Sequence, residues 1–157
     1  MEKEYTIKNV QKCQQGKGII NMTSEFAIAV HALVFLNHKG DCQSSEQIAS
    51  NVCTNPARLR KVLAKLKKAE LIATKEGKEG GYYFPLDSSA VNLKQVLVSL
   101  EEAPITVSKQ TGDMDNNCQI ASGMGAIMDD VYGKMNNACV EVLREITVLD
   151  IDQKIFG

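Results

Sequence analysis

The chain has 157 residues, 44% hydrophobic and 24% charged, with 18 basic and 19 acidic side chains. That length and balance suit one domain with a sizeable core, and they exclude a collagen-like, disulfide-dense or largely disordered chain. No apolar run approaches the roughly 20 residues that span a bilayer, and residues 1–18 show no apolar signal segment, so the protein is expected in the cytoplasm, away from membranes, with its five cysteines reduced.

Charge is small in total and uneven along the chain. Residues 45–84 hold eight basic and four acidic side chains, whereas residues 85–157 hold five and eleven. A basic middle and an acidic end fit one face turned towards a polyanion and another kept from it. They fit equally well a lysine-rich, solvated helix.

Residues 1–21 show no strong period and read as an N-terminal extension or a translated leader, with Met22 as the expected true start. A first helix is predicted from Ser24 to about Asn37. Phe26, Ala29, Val30, Leu33 and Val34 form its buried face, His31 lies off that face at the surface, and a turn follows at Lys39-Gly40-Asp41. Ser44 or Ser45 caps a short second helix, about 45–51, with Ile48, Ala49 and Val52 inward. Asn55 and Pro56 then form an N-cap and first-turn pair that opens a third helix to about Ala69. Leu59, Val62, Leu63 and Leu66 share one side of it, and Arg58, Arg60, Lys61, Lys65, Lys67 and Lys68 the other. Strands are predicted at Leu71–Thr74 and Tyr82–Phe84 around a glycine-rich turn, and a fourth helix at about 92–101.

Residues 102–117 read as a linker loop. Beyond them an apolar repeat of 3–4 spacing runs from Ile120 to Ile146, a helix of about 40 Å with one apolar stripe. Such a helix outgrows the small domain before it. The simplest fate of Ile120, Met124, Ile127, Met128, Val131, Met135, Cys139 and Val142 is an interface with a second copy; packing on the chain's own domain is the alternative. Thr147 and Asp150 form a cap that restarts a last short helix ending near Phe156. The expected organisation is residues 1–21 as the extension, 22–101 as one domain, 102–117 as the linker and 118–157 as a dimerisation helix with a short terminal helix.

A helix, a short helix, a turn, a basic helix and a glycine-tipped hairpin together make a winged helix-turn-helix, so the fold class is mainly α with a small β-hairpin wing. In this arrangement the second helix of the pair enters the major groove by its N-terminal turns, and basic residues offset phosphate charge. The candidate DNA-binding residues are Ser45, Thr54, Asn55, Ala57, Arg58, Arg60, Lys61, Lys75 and Lys78. Arg60 and Lys61 are the expected base readers, since arginine pairs in bidentate fashion with guanine. Lys75 and Lys78 sit on the wing, where phosphate is the natural partner. Lys65, Lys67 and Lys68 lie later on the helix and are expected to contact backbone phosphate or simply to be solvated. Ser45 and Thr54 serve as phosphate donors or as caps.

These residues also carry a resemblance. Ser44–Ala49, Asn55–Leu63, Leu66–Ile72 and above all Gly77-Lys78-Glu79-Gly80-Gly81-Tyr82 resemble the Rrf2 family of bacterial transcription regulators, as do Cys118-Gln119-Ile120 and Thr147–Asp150. The resemblance covers residues 22–157. It implies a homodimer joined by the long helices, a roughly palindromic double-stranded operator, and repression relieved by a signal. Several members hold an iron–sulfur cluster through three cysteines near the start of the long helix. Here only Cys118 matches, and Ala121 stands where some members carry a histidine ligand, so no cluster and no metal site are expected. Glu76 replaces the arginine that many members place before the first wing glycine.

Without a cluster, cysteine oxidation or a small molecule is the expected signal. Cys118 opens the long helix, where the helix dipole favours its thiolate, and Cys53 precedes the recognition helix, so both are candidate redox switches. Cys139 reads as a small core residue, Cys42 as an incidental loop residue, and Cys13 belongs to the N-terminal extension. The alternative function is a winged-helix interaction module that binds a partner enzyme with little DNA affinity. No nucleophile–base pair, phosphate loop or metal-ligand spacing supports an enzyme.

Overall fold

The computed structural model describes residues 24–106 and 111–157. The predicted leader, residues 1–21, lies outside the described residues, as do residues 107–110 of the predicted linker.

Helix α1 (Ser24–Lys39) is the hub and packs against four other helices. It runs two residues past its expected end, through His38 and Lys39, and stops at Gly40, whose φ of 69° turns the chain away. Its buried set is wider than the predicted stripe. Ile28, Ala32 and Leu36 are buried as well, and Val30 only partly, because helices cover α1 on more than one side. His31 is exposed and meets the Asn51 side chain at 3.1 Å.

Helix α2 (Ser45–Val52) starts from a reciprocal cap. The Gln47 N–H donates to Ser44 Oγ at 3.2 Å, and the Ser44 N–H donates to Gln47 Oε1 at 2.7 Å. It ends at Cys53, which adopts the left-handed conformation (φ 55°) that glycine ordinarily supplies. Helix α3 (Pro56–Lys68) follows at once, with Leu59, Val62, Leu63 and Leu66 completely buried, as their spacing predicts.

The hairpin is offset from its predicted position. Strands β1 (Ala73–Lys75) and β2 (Gly81–Tyr83) pair antiparallel, Thr74 opposite Tyr82. Leu71 and Ile72 come before β1. They are apolar because they close the core where α3 ends, with the Leu71 N–H returning to the Leu66 carbonyl at 3.0 Å.

Helix α4 (Leu93–Ser99), capped by Asn92, is shorter than the predicted 92–101. The linker is not wholly a free loop. Pro104 and Ile105 are buried, and the Asn136 side chain holds the Ile105 backbone from both sides, accepting from its N–H at 2.8 Å and donating to its carbonyl at 3.1 Å.

Helix α5 (Gln119–Arg144) has 26 residues, about 39 Å of helix. Helix α6 (Val148–Phe156) begins at the Thr147–Asp150 cap, in agreement with the sequence reading. The core does not stop at residue 101. Leu143 and Val148 belong to the same apolar cluster as α1–α4, α6 lies on α1, and backbone bonds from Leu93 to Ile146 (2.8 Å) and from Val148 to Val91 (2.9 Å) stitch the chain's end to the entry of α4.

Candidate nucleic-acid interface

The first turn of α3 is set by Asn55. Its Oδ1 accepts the N–H groups of Ala57 (2.8 Å) and Arg58 (3.4 Å), and Pro56 occupies a position with no intrahelical donor to lose. With the leucine–valine face locked into the core, Ala57, Arg58, Arg60 and Lys61 are all exposed. One turn of the core-facing pattern thus places four of the sequence-predicted residues on a single outer surface.

Their charges are not equally available. The Arg58 guanidinium donates to Ser24 Oγ at the start of α1. Arg60 lies 3.5 Å from Glu46 Oε1 on α2. The Glu46 carboxyl is held below the usual carboxylate range by hydrogen bonds from its own backbone N–H and the Ser45 hydroxyl, with Arg60 adding to the effect. Glu46 therefore stays anionic and parks Arg60 across the helix-turn-helix. Both side chains are more than half exposed, so the pair is weak and easily exchanged. Lys61 makes no ion pair among the described residues. The Ser45 hydroxyl donates to Glu46 at 3.0 Å, and Thr54 is half-buried, with its N–H on the Ala49 carbonyl at 3.2 Å. Ser45 thus opens α2, and Thr54 sits in the turn between α2 and α3.

Lys65 is not the solvated or phosphate-facing residue expected of it. Its ammonium donates to Glu25 Oε2 at 2.9 Å and to the Leu100 carbonyl at 3.3 Å, tying α3 to α1 and α4. Glu25 holds its pKa above the usual lysine range, against a smaller opposing effect of burial. Lys68 pairs with Glu101 at 3.2 Å in the open.

The wing carries Lys75 and Lys78, both exposed, with Glu76 and Glu79 beside them. Its attachment depends on Gln43, a residue the sequence does not mark. The Gln43 N–H donates to the Tyr82 carbonyl at 2.9 Å and the Tyr82 N–H to the Gln43 carbonyl at 2.8 Å, which adds a single-residue third strand. Gly81 makes this approach possible, since a Cβ there would sit 2.4 Å from the Gln43 carbonyl oxygen.

The predicted interface stripe on α5 divides. Ile120 (72% exposed), Ile127 (60%), Val131, Met135 and Val142 are open to solvent, and Met124, Met128 and Cys139 are half-buried. Leu143 is buried, and Val140 and Ile146 pack on the chain's own core. The single stripe read from spacing is thus two surfaces, because the last turns of α5 fold back on α4 while the first turns run free of it.

Cys118 is the exposed N-cap of α5, and the backbone N–H groups of Ala121 and Ile120 hold its thiol below the usual range. Cys53 is exposed, its thiol 3.5 Å from the Ser50 carbonyl. Among the described residues no three His, Cys, Asp or Glu side chains converge on a point where a metal could bind. Cys118 has Asp113, Asp115 and two asparagines as near sequence neighbours, hard oxygen donors where an iron–sulfur cluster needs thiolates.

A family model described as Rrf2, iron-dependent transcriptional regulator, matches residues 22–154. The chain belongs to the Rrf2 family. The HTH-type transcriptional regulator NsrR of Oceanobacillus iheyensis is 28% identical over 137 residues, which cover 84% of this chain and 89% of that one. YwnA of Bacillus subtilis is 24% identical, over 86% of this chain and 99% of its own length. A transcriptional-regulator crystal structure from Lactobacillus plantarum superposes with a TM-score of 0.72 at 22% identity, over 85% of this chain and 90% of that one. This Rrf2 protein is a DNA-binding transcription regulator with the winged-helix fold and is not an enzyme. None of its described helices is long and apolar enough to cross a membrane.

Proposed function

We propose that this Rrf2 protein is a cytoplasmic, homodimeric repressor that binds a roughly palindromic operator, and that a thiol oxidant or a small molecule releases it. The observation that carries the reading is the single outer surface of Ala57, Arg58, Arg60 and Lys61 on the first turns of α3, in a chain whose wing also exposes Lys75 and Lys78. Arg60 and Lys61 read base edges in the major groove. Ser45, Thr54, Asn55 and the wing lysines hold phosphates. To engage, Arg60 exchanges Glu46 for guanine, trading one weak ion pair for a bidentate contact.

The open α5 face of Ile120, Ile127, Val131, Met135 and Val142 joins two copies, and the two-fold axis that results makes the operator palindromic. The division into a reading domain over 22–101, a linker over 102–117 and a dimerisation segment over 118–157 fits this role. The regulator carries no iron–sulfur cluster, a reading supported by the lack of any cysteine in residues 101–117 and by Ala121 three residues after Cys118. In its place, the Cys118 thiolate attacks a hydroperoxide: the S–O bond forms as the O–O bond breaks, and water or an alcohol leaves. A second thiol, Cys53 of the other copy, then displaces water to give a disulfide, moving the turn that precedes α3.

The test is fluorescence anisotropy against DNA from upstream of the protein's own gene, with reduced and peroxide-treated protein at two salt concentrations. Tight binding that weakens with salt supports the regulator, and a change on oxidation that is lost in Cys118→Ser supports the thiol signal. A full oxidant response in Cys118→Ser removes that residue from the switch. A second reading, a module for a partner enzyme, draws on Glu46 beside Arg60 and on Glu76 and Glu79 beside the wing lysines. It is favoured if no duplex binds in either state.

A further inference from the structure

At the far end of α3 from the base-reading residues, the end of α3, α4 and the last turn of α5 enclose an open groove of about 670 Å³. That is the size of a small-ligand site. Four cations reach it from three elements: Lys65 and Lys68 from α3, Lys94 from α4 and Arg144 from α5. Glu101 is the one carboxylate among its lining residues.

Lys65 is committed to Glu25 and the Leu100 carbonyl. The other three are available. Lys94 makes no ion pair among the described residues. Lys68 pairs with Glu101 at 3.2 Å, with the two side chains 80% and 75% exposed, and Arg144 with Glu141 at 3.0 Å, also in the open. Exposed pairs of this kind yield to a competing anion at little cost. Asn92 and Gln95 line the same groove. They spend their carbonyl oxygens on each other's backbone in the α4 cap, which leaves two side-chain NH2 groups to donate. The exposed Val98 gives an apolar wall.

We infer that this groove binds a small, multiply charged organic anion, a polycarboxylate or a phosphorylated metabolite, as the regulator's effector; the effector role rests on the repressor reading above. The position supplies the coupling. Lys68 ends the recognition helix and Arg144 ends the dimer helix, while Asn92 bridges Thr147 at the joint between α5 and α6. An anion held by both cations fixes the angle between the element that reads DNA and the element that sets the spacing of half-sites.

The experiment is isothermal titration calorimetry of the full chain with citrate and, separately, inorganic phosphate at constant ionic strength, on wild type, Lys94→Ala and Lys68→Ala. The expected result is saturable binding of at least one probe, one site per chain, weakened about tenfold or more by either substitution. The stronger probe tells a polycarboxylate from a phosphorylated effector. No saturable heat from either probe, or heats that both variants leave unchanged, overturns the proposal. Operator anisotropy with and without the probe is the second readout. If Lys94→Ala weakens operator binding in the absence of any probe and lowers the salt slope, the groove is a DNA-backbone contact and the proposal falls. If citrate binds through Lys94 but no duplex binds at any salt, the anion site stands and the repressor reading fails.

Discussion

Cys118 shows how a single position acquires chemistry from the backbone around it. It stands exposed at the N-cap position of α5, where the N–H groups of Ala121 and Ile120 favour its thiolate. The sign follows directly. The folded chain favours the deprotonated form, so thiolate persists below the ordinary thiol range and is lost only as pH falls through the lowered value. Alkylation of Cys118 by iodoacetamide, followed by mass spectrometry across a pH series, is expected to have its midpoint below that of a free cysteine peptide. A coincident midpoint would show that the helix end does not activate it. Glu70 is a residue in the opposite situation, forced into the left-handed region (φ 59°) to end α3. The side chain is exposed and contributes only strain there, so Glu70→Gly is expected to raise stability by about 1 kcal/mol, read as a later urea midpoint at unchanged slope.

At the scale of elements, the wing is the part most dependent on one contact. Placing a methyl on Gly81 drives it into the Gln43 carbonyl at 2.4 Å, and the backbone on both sides is held by two hydrogen bonds. Gly81→Ala is expected to cost roughly 2 kcal/mol and to free the hairpin. Urea denaturation gives the first, and faster amide exchange at Tyr82 the second; an unchanged Tyr82 amide would sink this account. The Gly-rich turn itself is easy to read in the sequence, but its anchor is not, because a one-residue bridge at Gln43 leaves no periodicity. Asn55-Pro56 announces α3 since cap chemistry is local, whereas the strand bounds differ because Leu71 and Ile72 look like a strand while serving as a core plug before β1. Lys65 reads as one more surface cation, and only the fold brings Glu25 to it from 40 residues away.

For the whole molecule, the question is what covers α5. The 3–4 spacing from Ile120 to Ile146 was readable, but spacing cannot say which partner an apolar residue meets; the fold assigns Leu143 to the chain's own core and leaves Ile127 60% exposed. A row of large apolar side chains held in water on one helix is unfavourable for a lone chain, and association relieves it. Ile127→Glu separates the two roles because it touches only the open part. The variant is expected to sediment at the monomer mass where wild type sediments at twice that mass. Its helical circular dichroism should be retained, since the core residues are untouched. Operator affinity should fall about a hundredfold or more, because two linked half-sites become two independent ones. Sedimentation of the variant as a dimer would place the interface elsewhere. Retained affinity in a monomeric variant would instead mean that one winged helix, with Arg60, Lys61 and the wing lysines, suffices to hold DNA.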